Sequence, residues 1–204
     1  HQHGALACIA NQSVTSNQQS DCVAYDLPFG CPGWLEGLIH ANTFIRAGEA
    51  KRCLIIGTET LSRIIDPHDK DSMLYSDGSG AVVVEAREGD AGMIAWKTQT
   101  HALEHAHLLH MGASYSPVTE NKADKFLKMT GRKVYEFALN HVPLVIKQVL
   151  DKANTDVKEI KRVLVHQAND KMDAAILERL FRLYDLHEIP EDIMPMTIGW
   201  LGNS

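Results

Sequence analysis

The stretch that decides the fold reads Ala24-Tyr25-Asp26-Leu27-Pro28-Phe29-Gly30-Cys31-Pro32-Gly33-Trp34. Val23–Leu27 is a strand candidate, and the proline and glycine residues after it predict a tight turn. From Trp34 to Ala47 apolar residues recur every three or four positions, which predicts a helix that ends near Gly48. The pattern therefore places Cys31 at the junction between a strand and a helix.

Strands and helices alternate along the rest of the chain. The further strand candidates are Arg52–Gly57, Gly80–Ala86 and Arg162–His166, and the helix candidates are Gly131–Asn154 and Asp170–Tyr184. The first two strand candidates are apolar enough for strands buried on both faces. Pro143 should break or kink its helix and is typical of the first residue of a second helix. This alternation predicts an α/β layered fold with a mostly parallel or mixed sheet.

Composition excludes several classes of protein. The chain has 204 residues, 45% hydrophobic and 23% charged, which is enough to bury a core. A net charge of -6 makes it a poor generic nucleic-acid binder. The sequence predicts neither a membrane-spanning helix nor a signal peptide, because it has no long apolar run and no basic-then-apolar start. The four cysteines, Cys8, Cys22, Cys31 and Cys53, lack CxxC spacing, which favours a reducing, cytoplasmic setting.

Cys31 is the most informative of the cysteines. A thiol before a helix N-terminus faces the positive end of the helix dipole, which favours the nucleophilic thiolate. Backbone N–H groups of the same turn could hold an oxyanion. The simpler alternative is a buried structural cysteine, and Cys31 alone does not decide between the two.

His166 ends a strand candidate and is followed by Gln167-Ala168-Asn169 at a predicted helix start. Ligands in open α/β sheets bind at the carboxyl ends of strands, so His166 and Cys31 can meet although they are far apart in sequence. The simpler alternatives are a capping or core histidine and, for Asn203 after Gly202, a turn asparagine.

Taken together, these segments resemble β-ketoacyl-ACP synthase III, a condensing enzyme of the thiolase superfamily. Besides residues 24–34, the segments that carry the resemblance are Ala41-Asn42-Thr43-Phe44-Ile45-Arg46-Ala47-Gly48, Ile56-Gly57-Thr58-Glu59-Thr60-Leu61-Ser62-Arg63, Ser76-Asp77-Gly78-Ser79-Gly80-Ala81, Val165-His166-Gln167-Ala168-Asn169 and Leu201-Gly202-Asn203-Ser204. These segments follow one another in family order, and the resemblance is weakest over residues 87–123. The resemblance implies a thiolase-like layered αβαβα fold with mixed sheets. Residues 1–86 would be the remainder of an N-terminal half with the nucleophilic cysteine, and residues 87–204 a truncated C-terminal half with the histidine and asparagine.

The resemblance also implies a reaction, the decarboxylative Claisen condensation that initiates fatty acid synthesis. Cys31 would take the acyl group from an acyl-CoA. His166 and Asn203 would hold the thioester carbonyl of malonyl-ACP while carbon dioxide leaves, and the product would be a 3-oxoacyl-ACP. The family uses no metal or cofactor, since CoA and ACP thioesters are its substrates. It implies a homodimer.

Four further residues are assigned to substrate binding by the same resemblance. Trp34 stands where the family commonly has phenylalanine and would shape the acyl pocket. Lys70 would contact the phosphates of CoA. Asn169 belongs to the histidine motif, and Lys171 follows it at a position where the family often carries a basic residue that docks the acidic ACP.

Two other groups of residues have simpler explanations than a functional one. Arg179 and Arg182 could extend a basic patch, but solvated helix surface explains them as well. The histidines His101, His105, His107 and His110 suggest a metal site, because the first two are one helical turn apart. Only Glu104 could complete such a ligand set, so an insertion loop is the preferred explanation.

Several related functions stay open. A polyketide- or quinolone-type synthase and a ketone-forming condensing enzyme share the Cys-His-Asn set. A non-catalytic scaffold would be expected to lack Cys31 or His166, and both are present. A degradative thiolase would need a second active-site cysteine, but no cysteine follows Cys53. Elongating synthases carry a second histidine in place of Asn203.

Members of the family are longer than this chain. They have a strand-rich segment before the cysteine, where only 30 residues stand here, and a strand with a glycine-rich loop after the asparagine. That loop supplies the family's second oxyanion-hole donor. We therefore expect most of one condensing enzyme, incomplete at both ends, with breaks before Asp21 and between Arg87 and Asn121.

Overall fold

A computed structural model describes residues 6–11, 23–118 and 123–203. They gather into two compact units. The cysteine unit comprises the described residues up to Leu61 together with Asp77–Met93, and the histidine unit comprises Ser62–Ser76 and the described residues from Ile94 onward. The break expected before Asp21 lies outside the described residues. The assignment of residues 1–86 and 87–204 to two thiolase-like halves stays a prediction.

The cysteine unit contains a four-stranded sheet. Its strands are β1 (Leu6–Asn11), β2 (Ala24–Pro28), β3 (Arg52–Thr60) and β4 (Asp77–Glu85), in the order β2-β1-β3-β4. All three pairings are antiparallel, whereas the sequence predicted parallel or mixed pairing. Apolar runs indicate how deeply a strand is buried, but its direction is set by the connections between strands, which the pattern does not show.

Helix α1 (Gly33–Arg46) covers one face of this sheet. Its buried residues are Gly33, Gly37, Ile39 and Ala41, and Ala41 packs with Cys53 and Ile55 of β3. Gly48 takes a φ of 78° just after the helix, a conformation that favours glycine. Val83 of β4 is 61% exposed. Burial of β4 on both faces, as predicted, is therefore not seen within the described residues.

The histidine unit is mainly helical. Its elements are α2 (Ala102–His105), β5 (Leu109–Gly112), β6 (Phe126–Met129), α3 (Gly131–Ala153), α4 (Asp170–Arg182) and α5 (Ile198–Leu201). Strands β5 and β6 pair antiparallel, and α3 packs against α4. The predicted buried face of α4 is confirmed, since Met172, Ile176, Leu177, Leu180 and Phe181 are all buried. These side chains form two apolar clusters, one around Leu139 of α3 and one around Leu150.

The predicted strand over Arg162–His166 is absent from the described structure. Val163 donates one backbone hydrogen bond to the carbonyl of Ile193, at 2.8 Å, but no ladder forms there. Leu164 is 80% exposed. The apolar residues of this segment suit a strand, but no neighbouring strand in the described part of the chain pairs with it.

Helix α3 continues through Pro143, so the prediction of a second helix starting there is wrong. Proline has no N–H to donate to the carbonyl of Leu139 one turn earlier. The Arg179 guanidinium of α4 donates to that carbonyl at 3.1 Å and to Asn140 Oδ1 at 2.8 Å. The helix therefore tolerates the proline because a side chain replaces the missing donor. Arg182, by contrast, pairs with Glu178 on its own helix.

We expect Arg179→Ala to lower the free energy of unfolding by about 1–2 kcal/mol, because it removes a charged donor from a backbone carbonyl that has lost its helical partner. Urea unfolding followed by circular dichroism measures the change. The control is Arg182→Ala, which removes an exposed i,i+4 pair worth about 0.3–0.5 kcal/mol. Equal losses in the two variants would contradict the role given to Arg179.

Candidate active site

Cys31 stands between the end of β2 and the start of α1, as the sequence predicts. The turn is closed by a hydrogen bond from the Gly33 N–H to the Gly30 carbonyl, at 2.8 Å. α1 follows immediately, and its Glu36 N–H donates to the carbonyl of Pro32 at 2.9 Å. Cys31 is exposed and forms no disulfide. A thiol on this turn can be reached by a substrate.

The environment of Cys31 raises the pKa of its thiol. Burial among the surrounding protein atoms is the largest cause, and the Glu59 carboxylate raises the pKa further, while the backbone N–H of Cys31 itself lowers it. The expectation that the helix dipole would lower this pKa is therefore wrong. Although the residue as a whole has solvent access, desolvation is the largest influence on the pKa of its thiol.

Trp34 lies against β3. A Cβ built on Gly57 would stand 3.1 Å from Trp34 Cβ and 3.2 Å from Cδ1, closer than ordinary packing allows. Glycine at position 57 therefore lets the indole approach the sheet backbone. Trp34 keeps 39% of its surface exposed, so part of the ring can face a ligand. Its role in an acyl pocket stays a prediction.

In the histidine unit, His166 is exposed and stands four residues before the start of α4. Asn169 is the N-cap of that helix, and its Oδ1 accepts a hydrogen bond from the Met172 N–H at 2.8 Å. This capping bond leaves the Nδ2 group of Asn169 as its donor toward any ligand. Lys171 is exposed in the first helical turn.

Gln167 links the segment of His166 to the segment that precedes Asn203, a connection that the sequence does not indicate. Its Oε1 accepts from the Thr197 N–H at 2.7 Å and from Thr197 Oγ1 at 3.3 Å. Its Nε2 donates to the Pro195 carbonyl at 3.0 Å. One side chain thus binds the histidine segment to the residues that lead into α5.

Asn203 follows α5 and contacts Ser76. The Ser76 hydroxyl donates to Asn203 Oδ1 at 3.2 Å. Gly202 has a φ of 73°, and a Cβ there would lie 2.6 Å from Ser76 Oγ. Glycine is therefore required beside the asparagine for both conformation and space. Ser76 begins one of the segments that carry the family resemblance, but nothing in the sequence points to its contact with Asn203, because the bond joins residues 127 positions apart.

Lys70 lies on a cavity of about 730 Å³ within the histidine unit. The cavity is lined by His68, Asp69, Lys70, Asp71, Tyr115, Met129, Gly131 and Arg132. Two cations, Lys70 and Arg132, therefore face it together with two acidic side chains. Lys70 is exposed, as a residue that meets a ligand from solvent would be.

A buried ion pair fixes the loop that carries Lys70. Lys128 Nζ lies 2.6 Å from Asp66 Oδ2 and 3.2 Å from Asp69 Oδ2, and it stands 3.5 Å from the centre of the Tyr115 ring. Asp66 also accepts from the backbone N–H groups of Tyr115 and His68. Burial by itself would raise the pKa of Asp66, but these donors hold it well below its usual range.

Comparison with known proteins identifies the family. The family model of 3-oxoacyl-[acyl-carrier-protein (ACP)] synthase III matches residues 25–102, which include the Cys31 turn and the Lys70 loop. The β-ketoacyl-[acyl-carrier-protein] synthase III of Erythrobacter litoralis is 37% identical over 163 residues, which are 78% of this chain and 50% of that protein. The synthase III 1 of Bacillus cereus is 30% identical over 201 residues, or 98% of this chain and 57% of that protein. The chain belongs to the β-ketoacyl-ACP synthase III family.

Solved structures agree with this assignment to the β-ketoacyl-ACP synthase III family. The crystal structure of the synthase III of Thermus thermophilus superposes with a TM-score of 0.75 at 30% identity, covering 88% of this chain and 54% of that chain. The predicted thiolase-like α/β fold is therefore confirmed. The chain spans about half the length of the curated synthase III relatives that it matches.

Two further findings concern the described residues of this chain. Within residues 6–11, 23–118 and 123–203, no three His, Cys, Asp or Glu side chains are grouped so as to hold a metal ion. The rings of His101 and His105 instead pack against Phe137 and His141 of α3. Among the same residues, no helix combines the length and the apolar character needed to cross a bilayer.

Proposed function

We propose that this chain carries the condensation site of a β-ketoacyl-ACP synthase III, which joins an acyl-CoA to malonyl-ACP and so initiates fatty acid synthesis. The observation that carries the proposal is Cys31, exposed on a strand-to-helix turn inside the residues that match the family model. The histidine unit supports it, since Gln167 and Ser76 fasten the segments of His166 and Asn203.

In the first step, Cys31 is the nucleophile. Its sulfur attacks the carbonyl carbon of the acyl-CoA thioester, and the bond from that carbon to the CoA sulfur breaks. CoA leaves as a thiol after taking up the proton that Cys31 gives up. Because its surroundings raise the pKa of Cys31, this proton transfer accompanies the attack. The product is a thioester of Cys31.

In the second step, His166 and Asn203 act on malonyl-ACP. Both donate hydrogen bonds to its thioester carbonyl oxygen. Carbon dioxide leaves, and the electron pair of the broken bond moves onto the α-carbon and that oxygen, where the two donors stabilise it. The carbanion then attacks the acyl carbon on Cys31 and forms 3-oxoacyl-ACP. Cys31 leaves as a thiolate and regains a proton from solvent.

The remaining residues bind the substrates. Lys70 and Arg132 face the cavity of the histidine unit, and cationic side chains suit the phosphates of CoA. Lys171 is exposed beside the histidine motif and suits the acidic surface of ACP. Trp34 borders the acyl group, and the Nδ2 group of Asn169 faces the ligand. The condensation needs no metal or cofactor, and we place it in the cytoplasm on a homodimer.

The test is mass spectrometry of the full protein after incubation with acetyl-CoA and longer acyl-CoAs. Wild type should gain one acyl group, and Cys31→Ala should gain none. Cys53→Ala, which changes a buried cysteine of the same unit, should still be acylated. An equal adduct on Cys31→Ala would overturn the nucleophile assignment.

A second assay tests the acceptor. The acylated protein is offered malonyl-ACP or malonyl-CoA, and release of a 3-oxoacyl thioester is measured. We expect condensation with malonyl-ACP. Condensation with malonyl-CoA alone would contradict the ACP assignment and indicate a polyketide-type acceptor instead.

A further inference from the structure

We propose that Ser76 is a positioning residue that orients the Asn203 amide, so that its NH₂ group and not its carbonyl oxygen meets the substrate. The proposal rests on the proposed function, because it assigns Ser76 to the condensation step. Ser76 itself contacts no substrate in this scheme. It acts through Asn203.

The geometry places Ser76 directly against the asparagine. Its hydroxyl lies 3.2 Å from Asn203 Oδ1, and its Cβ and Oγ lie so close to Gly202 that any side chain there would collide with them. Both Ser76 and Asn203 are partly buried. Ser76 is therefore packed against Gly202, and its hydroxyl donates to a defined acceptor, Asn203 Oδ1.

The chemistry of the amide makes this contact consequential. An asparagine amide has an acceptor, Oδ1, and a donor, Nδ2, of nearly equal size. Rotation by half a turn exchanges them, and only the donor can stabilise negative charge on a thioester oxygen. Because Ser76 donates to Oδ1, it selects the orientation in which Nδ2 points away from Ser76. Among the described residues, Nδ2 has no hydrogen-bond acceptor of its own.

The segment before Asn203 is held at its other end as well. Gln167 fixes Thr197, the short helix α5 follows, and the Gly202 N–H donates to the Ile198 carbonyl at 3.0 Å. Gly202 then turns the chain with its positive φ. Gln167 and α5 therefore fix where the asparagine backbone lies, whereas Ser76 fixes how its amide is turned.

If Ser76 had only a structural role, the loss of its hydroxyl would have a different effect on the steps of the reaction. A partly buried hydrogen bond between neutral groups adds little to stability, and its loss would affect every step of the reaction equally. A positioning role affects only the step in which Asn203 acts. Acylation of Cys31 should therefore be unchanged while decarboxylation and condensation slow down.

The experiment compares Ser76→Ala, Asn203→Ala and the double variant of the full protein. For each we would measure the rate of Cys31 acylation by acetyl-CoA and kcat for condensation with malonyl-ACP. Removal of an oxyanion-hole donor lowers kcat by about 10²–10³-fold, which we expect for Asn203→Ala. We expect Ser76→Ala to lower kcat about tenfold, the equivalent of one lost hydrogen bond. In the Asn203→Ala background, Ser76→Ala should have no further effect.

Two control variants complete the test. Ser76→Thr keeps a hydroxyl and should restore most of kcat, while Ser79→Ala changes an exposed serine of β4 and should leave both rates unchanged. Full condensation activity in Ser76→Ala, or a tenfold loss that persists without Asn203, would overturn the proposal. Absence of any acylation or condensation in wild type would instead refute the proposed function, so the two failures are distinguishable.

Discussion

Lys128→Met is expected to lower the free energy of unfolding by about 3–5 kcal/mol, because it leaves a buried charge without its partner. Lys128 is 4% exposed and Asp66 1% exposed, so water cannot replace the lost ammonium group. The remaining donors to Asp66, including Ser114 Oγ at 3.0 Å, are neutral. The methylene groups of methionine fill similar space, which confines the loss mainly to the electrostatic effect.

Urea unfolding near neutral pH measures this loss. Lys133→Met is the control, since it changes an exposed lysine in the first turn of α3. The double variant Lys128→Met with Asp66→Asn should be more stable than Lys128→Met alone, because the buried carboxylate is then neutral as well. A loss in Lys128→Met no larger than that in Lys133→Met would show that the pair contributes nothing.

The same ion pair predicts how the protein responds to acid. The folded state holds the pKa of Asp66 well below the value of about 3.9 expected in the unfolded chain. A lowered pKa contributes stability that is present above about pH 4 and is lost as the pH falls towards the folded value. Asp66→Asn should therefore reduce the acid dependence of unfolding.

Asp173→Asn is expected to stabilise the protein at about pH 8 by about 2–3 kcal/mol and to change little at about pH 4. Asp173 is fully buried in α4, and neither carboxylate oxygen has a hydrogen-bond partner among the described residues. Burial, and secondarily the Asp170 carboxylate, raise its pKa to about 6. The folded state therefore favours protonation of Asp173 more than the unfolded state does, and an asparagine imitates the protonated acid.

The sign of this effect is opposite to that of Asp66. A raised pKa gives full stability below the unfolded value, and this stability is lost as the pH rises through about 6. Unfolding of wild type and Asp173→Asn across this range tests the prediction, with Glu178→Gln as the control for an exposed acid of the same helix. Parallel pH profiles of wild type and Asp173→Asn would contradict a buried, ionising Asp173.

The helices were the part of the fold that could be predicted best. The 3.6-residue period of α4 identifies its buried face, because the period and the buried face have the same geometric cause. Arg162–His166 shows the limit, since its residues suit a strand but a strand also needs a neighbour to pair with. Pro143 shows a second limit of prediction, because the donor that lets α3 continue comes from Arg179 on a different helix.

The residues of the candidate site likewise differ in whether the sequence could predict them. Cys31, His166 and Asn203 could be proposed from motifs, because residue type and local order carry their chemistry. Gln167 and Ser76 act through hydrogen bonds to residues 30 and 127 positions away, and the sequence contains no local signal for such contacts. The pKa of Cys31 also depends on Glu59, a neighbour supplied by β3.

Pro143 and Arg179 depend on each other, so a substitution at one position changes the role of the other. A residue with an N–H at position 143 would bond to the Leu139 carbonyl itself and release the guanidinium from its present acceptor. The guanidinium would then be held to α3 through Asn140 Oδ1. A single exchange at position 143 therefore changes how α4 is held to α3 without changing any residue of α4.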